Sequence, residues 1–237
     1  MIALLTLSVA LAAEPTAEEL LTATDDAFRG SSSHALVEMY VKTDRYERTM
    51  RMELWSKGTD KTLIRVLEPA KDAGTVTLKV GENIWNHLPR IDRTMKLPPG
   101  MMSGSWMGSH FTNDDLVKES RLAEDYTYEI TARPADNDGN YEITLVPKPD
   151  APVVWGKQVL DVSPAKIPVE ARFYDEKGAL VRTMRWSEVK RIGDRDLPTV
   201  MTLIPADAPQ ELTRMSYETI EFDLDLSDGH FSLQSLK

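Results

Sequence analysis

Serine, histidine and aspartate side chains occur close together in one stretch of the sequence and could form a nucleophilic triad. Ser105 and Ser109 are followed by His110 and Asp114. The surrounding order is G-S-x-x-G, whereas the nucleophile elbow of α/β-hydrolases requires G-x-S-x-G between a strand and a helix. Loop Ser and Asp side chains more often make turns and caps, and triads are recognised by geometry. A hydrolase that uses Ser105 or Ser109 is therefore only a minor alternative.

The other reactive residue types are no better arranged for chemistry. The sequence has four scattered histidines and no H-E-x-x-H, P-loop or dinucleotide-binding motif. It has no cysteine, which excludes disulfides, thiolate metal sites and a cysteine nucleophile. No pair of carboxylates stands in an apolar setting that would raise a pKa. The sequence therefore predicts a protein with no cofactor, no metal and no enzymatic activity.

Soft apolar side chains are the unusual feature of the chain. They concentrate in residues 84–116, among Gly and Pro residues that do not suit a core strand. Monomers rarely expose such patches unless something binds there, and Met is over-used at surfaces that accept varied apolar partners. The predicted ligand-binding residues are Met50, Met52, Trp85, Leu88, Met95, Met101, Met102, Trp106, Met107 and Phe111. For Met50, Met52 and Trp85, plain core packing is an equally good interpretation.

Residues 101–111 are the part of this set that we interpret as a mobile lid over an apolar cavity. Gly104 and Gly108 bracket Trp106 and Met107 and leave the backbone there free to move. Side chains on such a lid contribute to ligand burial more than to folding. Replacing Trp106 and Met107 by Ser is therefore expected to weaken the binding of an apolar ligand and to change the melting temperature little.

The negative net charge argues against nucleic acid and anionic lipid surfaces as binding partners. The 237 residues include 28 Lys and Arg against 38 Asp and Glu, which gives a formal charge of −10. Nucleic acid is bound mainly by basic faces that neutralise phosphates, and anionic lipid surfaces also attract basic segments. Apart from the N-terminus, no apolar run approaches the roughly twenty residues that span a bilayer. We therefore expect no nucleic-acid binding and no stable membrane insertion.

The N-terminal residues 1–13, MIALLTLSVALAA, are uncharged and almost entirely apolar. This run is too short to span a bilayer, and it matches the apolar core of a secretory signal with a small-residue cleavage site. A buried N-terminal strand or helix is the alternative. We expect a signal peptide at 1–13, a single domain at 14–237 and a periplasmic location, with the mature protein beginning at Ala13 or Glu14.

Most of the elements that must position these residues are strands. Thr16 and Glu19 form a capping box before a pattern of helical period that ends at Gly30, which predicts a helix of about fourteen residues. From residue 35 onward, apolar and polar residues alternate in about ten or eleven short runs separated by turn residues. A second helix is predicted to begin in residues 112–115. The pattern predicts one large, curved antiparallel sheet with helices against one face.

Two motifs resemble those of a known family. They are residues 85–89, WNHLP, and residues 104–116, GSWMGSHFTNDDL. They are similar to the W-x-Y-L-P and G-S-F-M-G-S-D-F-[ST]-x-[ED]-D-L motifs of the outer-membrane lipoprotein-sorting protein family, relatives of the periplasmic carrier LolA. His87, Trp106 and His110 stand where the family has Tyr, Phe and Asp.

The resemblance implies both a fold and a function. The implied fold is mainly β: an unclosed antiparallel β-barrel of the LolA/LolB type, with helices packed against its concave face. The implied function is to shield lipoprotein acyl chains or other lipid in an apolar cavity during envelope transport. The alternative is a non-catalytic adaptor that docks on an inner-membrane ABC-type exporter through its apolar loop.

Overall fold

The computed structural model describes residues 14–28, 30–118, 122–149, 151 and 153–236. The predicted signal peptide lies outside the described residues. The α-helices of the described part are α1 (Ala17–Ala27), α2 (Asp115–Lys118) and α3 (Leu122–Asp125). Its strands are β1 (Ser32–Lys42), β2 (Glu47–Lys57), β3 (Lys61–Glu68), β4 (Val76–Val80), β5 (Asn83–Leu88), β6 (Arg93–Lys96), β7 (Tyr126–Ala132), β8 (Tyr141–Pro147), β9 (Lys157–Val162), β10 (Pro168–Tyr174), β11 (Leu180–Ile192), β12 (Arg195–Pro205) and β13 (Leu212–Phe222). None of the helices in these ranges is long and apolar enough to cross a membrane.

All thirteen strands belong to one sheet, in the order β6-β5-β4-β3-β2-β1-β13-β12-β11-β10-β9-β8-β7. Except for β6 and β7, strands that follow each other along the chain pair as antiparallel neighbours, and β1 pairs with the last strand, β13. The two ends of the sheet, β6 and β7, do not pair with each other. The predicted mainly β, unclosed antiparallel barrel is therefore confirmed.

The sheet curves around a single large core. Met52 of β2 and Leu145 of β8 belong to the same buried cluster, although many strands spaced roughly 4.8 Å apart separate them in the sheet. Leu20 and Leu21 of α1 are fully buried in this cluster. The helix thus packs on the inner, core-bearing face, as the sequence analysis predicts.

A smaller apolar cluster covers the outer face of β3, β4 and β5. Leu63 belongs to this cluster, whereas its neighbour Ile64 belongs to the main core, because side chains alternate along a strand. Phe231 and Leu236, from two 3₁₀ turns at the end of the chain, complete the outer cluster. The C-terminal segment therefore covers the outside of the sheet.

One helix boundary and one strand differ from the predictions. The capping box of Thr16 and Glu19 is present, but α1 ends at Ala27 and spans 11 residues. The sequence does not predict β6, because Arg93–Lys96 is short and mostly polar, and all four of its residues are exposed. The predicted strand count of about ten or eleven is therefore too low.

Candidate functional site

Residues 101–111, hereafter the capping segment, fold into a compact turn structure. The Trp106 N–H donates to the Phe111 carbonyl at 2.8 Å, which closes the turn. The side-chain amide of Asn113 donates to the Gly104 carbonyl at 3.1 Å. Local hydrogen bonds therefore hold the backbone of this segment in one conformation, although its glycines would permit others.

Side chains of the β1–β2 hairpin anchor this segment from one side. The Tyr46 hydroxyl donates to the Gly108 carbonyl, and Arg48 Nη2 donates to the Met107 carbonyl at 2.6 Å. Gly108 has a φ of +68°, and a Cβ there would lie 3.0 Å from the Tyr46 hydroxyl. The glycine thus permits a close approach between the segment and the hairpin.

His110 anchors the segment from the other side. Its Nδ1 lies 2.8 Å from Thr213 Oγ1, and its Nε2 lies 3.0 Å from Glu211 Oε2. Hydrogen bonds from His110 and from the Asp44 backbone hold the pKa of Glu211 below its usual range. The imidazole therefore ties the segment to β13 and to the turn before it.

The serines of the hydrolase alternative are engaged in turns. Ser105 donates to the Ser109 carbonyl, and Ser109 donates to the Trp106 carbonyl. Neither hydroxyl pairs with His110, whose two ring nitrogens are bonded elsewhere. Among the described residues, no group of three or more His, Asp or Glu side chains could hold a metal ion.

Trp106 belongs to the folding core. It is 2% exposed, and its indole N–H donates to Thr77 Oγ1 at 3.3 Å. Phe111 is buried in the same core cluster, and the half-buried Met107 packs against it. The enclosed position of the indole argues against the expectation that Trp106 is a lid residue with little effect on stability.

Two apolar cavities lie between the sheet and the elements that cover it, which include α1 and the capping segment. The first, the Arg182 chamber, has a volume of about 100 Å³ and is lined mainly by side chains of β7 to β11. The second, the Trp106 chamber, has a volume of about 160 Å³ and is lined mainly by β1 to β3, β12 and β13. The residues that line both are Thr24, Asp25, Phe28, Phe111 and Asp115. The chambers therefore meet where the end of α1 approaches Phe111.

Arg182 places a buried charge in the wall of its chamber. It is 4% exposed, and its guanidinium carbon lies 4.4 Å from the ring centres of both Trp155 and Phe173. Asp115 pairs with it through two contacts, Nη1–Oδ2 at 2.7 Å and Nη2–Oδ1 at 2.5 Å. Asp115 also accepts from the Thr112 N–H at 2.7 Å as the first residue of α2. The ion pair thus joins the start of α2 to β11.

Tyr126 is a second polar group in the wall of the Arg182 chamber. Burial raises the pKa of its hydroxyl to about 12, and a hydrogen bond with Gln158 offsets part of that rise. Both residues are buried and line the chamber. The phenol is therefore neutral at physiological pH, so the polarity that it adds to the wall carries no charge.

Half of the predicted ligand-binding residues lie in or against the main core. They are Met50, Met52, Trp106, Met107 and Phe111. Trp106 lines one chamber and Phe111 lines both, whereas Met50 and Met52 are fully buried by packing. The structure thus brings the second family motif to the cavities.

The other predicted residues lie away from the chambers. Trp85 packs against the outer cluster, and Met95 and Met101 are exposed, the latter by 58%. Leu88 and Met102 are half-buried. None of these five side chains lines either chamber. The cause is their position on β5, on the edge strand β6 and in the turns beside them, outside the curve of the inner face.

The sequence analysis missed Arg182, Trp155 and Phe173. The sequence does contain a pattern that indicates Arg182. Arg182, Met184 and Trp186 occupy alternate positions along β11, and all three line the same chamber. A charged residue in an apolar row of period two indicates a buried charge with a partner. The partner itself, on α2, comes from tertiary structure.

A family model described as "Uncharacterized protein" matches residues 58–237. The chain belongs to this family. No curated protein sequence matches the chain.

Solved structures share the fold over nearly the whole chain. A DUF1329 family protein from Desulfovibrio piger superposes with a TM-score of 0.82 at 21% identity, covering 92% of this chain and 96% of that one. An outer membrane lipoprotein-sorting protein domain from Vibrio parahaemolyticus gives 0.80 at 24% identity, covering 92% and 97%. A LolA superfamily protein from Nitrosomonas europaea gives 0.77 at 23% identity, covering 93% and 99%. The LolA-like resemblance deduced from the two motifs is confirmed at the level of the fold.

Proposed function

We propose that this protein is a non-catalytic carrier that shields acyl chains, of lipoproteins or of other lipid, between the sheet and its cover. The observation that carries the proposal is the pair of apolar chambers that meet at Phe111 under the capping segment. Each buried methylene contributes about 0.8 kcal/mol, so a short length of chain already adds several-fold to affinity. The proposal is also supported by the shared fold of a protein described as lipoprotein-sorting.

The size of the chambers indicates how cargo would enter. Pockets for drug-sized ligands have volumes of roughly 300–1,000 Å³, and a cavity of about 150 Å³ holds a group the size of benzene. The chambers, at about 100 and 160 Å³, each fit only part of an acyl chain. Phe28 and Phe111 line both chambers, so their rings stand at the junction. We infer that a long chain binds when Phe111 moves and joins the two chambers.

Lipid analysis of the protein recovered from cells tests the proposal. Mass spectrometry of the extracted protein should find acyl lipid at about one molecule per chain. Phe111→Ala should alter the binding of a fluorescent acyl probe per folded molecule, whereas Met101→Ala, at an exposed position, should leave it unchanged. A protein that carries no lipid and binds no acyl probe would contradict the carrier.

The proposal includes a periplasmic location, which depends on residues 1–13 acting as a signal. The protein recovered from cells should then begin at Ala13 or Glu14. N-terminal sequencing of the functional protein measures this directly. An intact Met1 would remove the periplasmic assignment without affecting acyl binding.

Exposed apolar side chains near β6 favour a second candidate function. Ile91, Met95 and Met101 are 63%, 36% and 58% exposed. Such a patch suits contact with another protein, and an inner-membrane ABC-type exporter is the partner expected for an adaptor. Co-purification of a permease with lipid-free protein would support the adaptor, and its loss in Met95→Ser with Met101→Ser would locate the contact.

A further inference from the structure

The C-terminal segment, residues 226–236, lies on the outer face of the sheet without joining it. Within the described residues, the last backbone-to-backbone hydrogen bond from this end of the chain to a strand is donated by the Asp223 N–H. Beyond that point, side chains hold the segment, as where Lys57 Nζ donates to the Leu226 carbonyl at 2.8 Å. The segment can therefore leave the sheet without breaking any hydrogen bond between strands.

The His230 ring lies at the centre of this attachment. Its ring centre is 4.9 Å from that of Trp55 on β2 and 5.3 Å from that of Phe231. Phe231 is itself buried against Leu63 and Leu78 in the outer cluster. Within the described residues, the buried Nε2 of His230 has no hydrogen-bond partner. The neutral imidazole therefore acts here mainly as a packing group between aromatic rings.

A proton on this ring would be unfavourable while the segment is in place. An imidazolium carries an N–H on both of its nitrogens. Protonated His230 would therefore hold a buried N–H at Nε2 with no acceptor in the part of the chain that the structure describes. Released into water, the same N–H finds a partner at once. Protonation and release are therefore coupled.

Charged and titratable groups on three strands also face the ring. Arg65 of β3 and His34 of β1 disfavour a positive charge there. Glu53 of β2 favours it, but its carboxylate already lies 2.9 Å from His34 Nε2. Burial, followed by Arg65, holds the pKa of His230 below its ordinary value of 6.5. The contribution of this ring to holding the segment is thus full above that pH and is lost as the pH falls below it.

We propose that protonation of His230 releases residues 226–236 from the sheet, so that the segment is an acid-sensitive cover. Release would expose the outer apolar face of β3 and β4, where Leu63, Val76 and Leu78 are at most 1% exposed with the segment in place. The device lies on the face of the sheet opposite the chambers. It therefore stands or falls independently of the carrier function.

Single cysteines report release directly, because the chain has none of its own. Leu236→Cys places a thiol at a buried position of the segment, and Leu233→Cys places one at an exposed position. The ratio of their labelling rates with a maleimide cancels the pH dependence of the thiol itself. This ratio, buried over exposed, should rise several-fold as the pH falls from about 7.5 to about 5, the range in which an imidazole gains its proton.

Two variants separate the titration of His230 from general loosening. His230→Phe, added to each cysteine variant, keeps a ring that takes no proton, so the ratio should stay low across the range. Asp228→Asn removes the contacts to Lys57 and Lys61, whose carboxylate partner is ionised at both pH values. It should raise the ratio at both ends of the range and leave the step between them.

Hydrogen exchange on the unaltered protein covers the case in which a cysteine variant does not fold. Exchange of the amides in residues 226–236, corrected for its intrinsic pH dependence, should speed up over the same range. A labelling ratio or corrected exchange rate that does not change with pH would overturn the cover, and so would an equal rise in His230→Phe. Binding of an acyl probe should be unaffected by His230→Phe, which keeps this test apart from that of the carrier.

Discussion

At the scale of single residues, Trp106 is both a core residue and a wall of its chamber. Its burial follows from the turn of the capping segment, and the hydrogen bond to Thr77 satisfies its indole N–H. A buried indole of this kind usually has a partner for its N–H. The same side chain therefore contributes to stability and to the shape of the cavity.

Truncating Trp106 should therefore destabilise the protein. We expect Trp106→Ala to lower the free energy of unfolding by about 3–5 kcal/mol, as for other large-to-small core changes. Trp106→Phe keeps a ring but loses part of the indole's volume as well as the bond to Thr77, so a smaller loss than that of Trp106→Ala is expected. Urea unfolding measures both, with the exposed Met101→Ala as a control that should change stability by less than about 0.5 kcal/mol. A near-neutral Trp106→Ala would restore the lid interpretation.

The Arg182–Asp115 pair gives a second test at this scale. The two side chains are 5% and 13% exposed, so solvent screens them little. Asp115→Asn leaves the guanidinium without a counter-charge and should cost about 3–5 kcal/mol, most of which Arg182→Met should restore in the double variant. Thermal or urea unfolding measures the difference. Glu218→Gln, which breaks the half-exposed pair with Arg51, should cost at most about 1 kcal/mol.

At the scale of elements, periodicity predicts strands well and loops poorly. The alternating runs of β10 and β13 match the structure because each strand has one buried and one solvated face. The capping segment is different, since its conformation depends on Tyr46, Arg48 and His110, which are bonded across the fold. Gly108 indicated mobility from sequence, yet its role is a close approach to Tyr46. Local sequence cannot distinguish these two uses of glycine.

Gly156 is a further position where only the tertiary fold reveals the constraint. A Cβ there would lie 2.5 Å from the Asp175 carbonyl oxygen and 2.7 Å from Glu176 Cα, both of which are backbone atoms. Gly156→Ala should therefore shift the hairpin beside Trp155 and cost about 1–3 kcal/mol, as overpacking does. Gly100→Ala is the matched control, because nothing lies within 4 Å of its Cβ position. Equal melting temperatures for the two variants would contradict this close contact.

At the scale of the whole molecule, the C-terminal segment gives the fold a dependence on acid. Asp228 accepts from Lys57 at 2.8 Å and lies 3.0 Å from Lys61, and these hydrogen bonds lower its pKa to about 2. Because this is below the ordinary value of 3.8, the contribution is fully present above that pH and is lost as pH falls toward 2. The melting temperature of Asp228→Asn should be lower than that of the unaltered protein at pH 6, and the gap should close between about pH 4 and 2.

The sequence predicts the class of this molecule better than its connectivity. The class and the curved sheet follow from alternation, from the absence of strand–helix–strand units and from the two motifs. The pairing of β1 with β13 does not, because period two specifies a face and not a neighbour. The burial of Arg182 with Asp115 likewise joins residues that are far apart along the chain.

The unclosed ends of the sheet also bear on how copies of this protein meet one another. Within the described residues, no strand pairs with the outer sides of β6 or β7, and such rows of free amides and carbonyls are templates for intermolecular β-aggregation. Arg93 and Lys96 give β6 two exposed positive charges that oppose self-pairing. Replacing both by Val should produce thioflavin-positive fibrils on storage, while the melting temperature stays nearly unchanged. A variant that stayed monomeric would show that these charges are not needed to prevent self-pairing of β6. The unclosed ends of the sheet thus make colloidal stability depend on two side chains of β6.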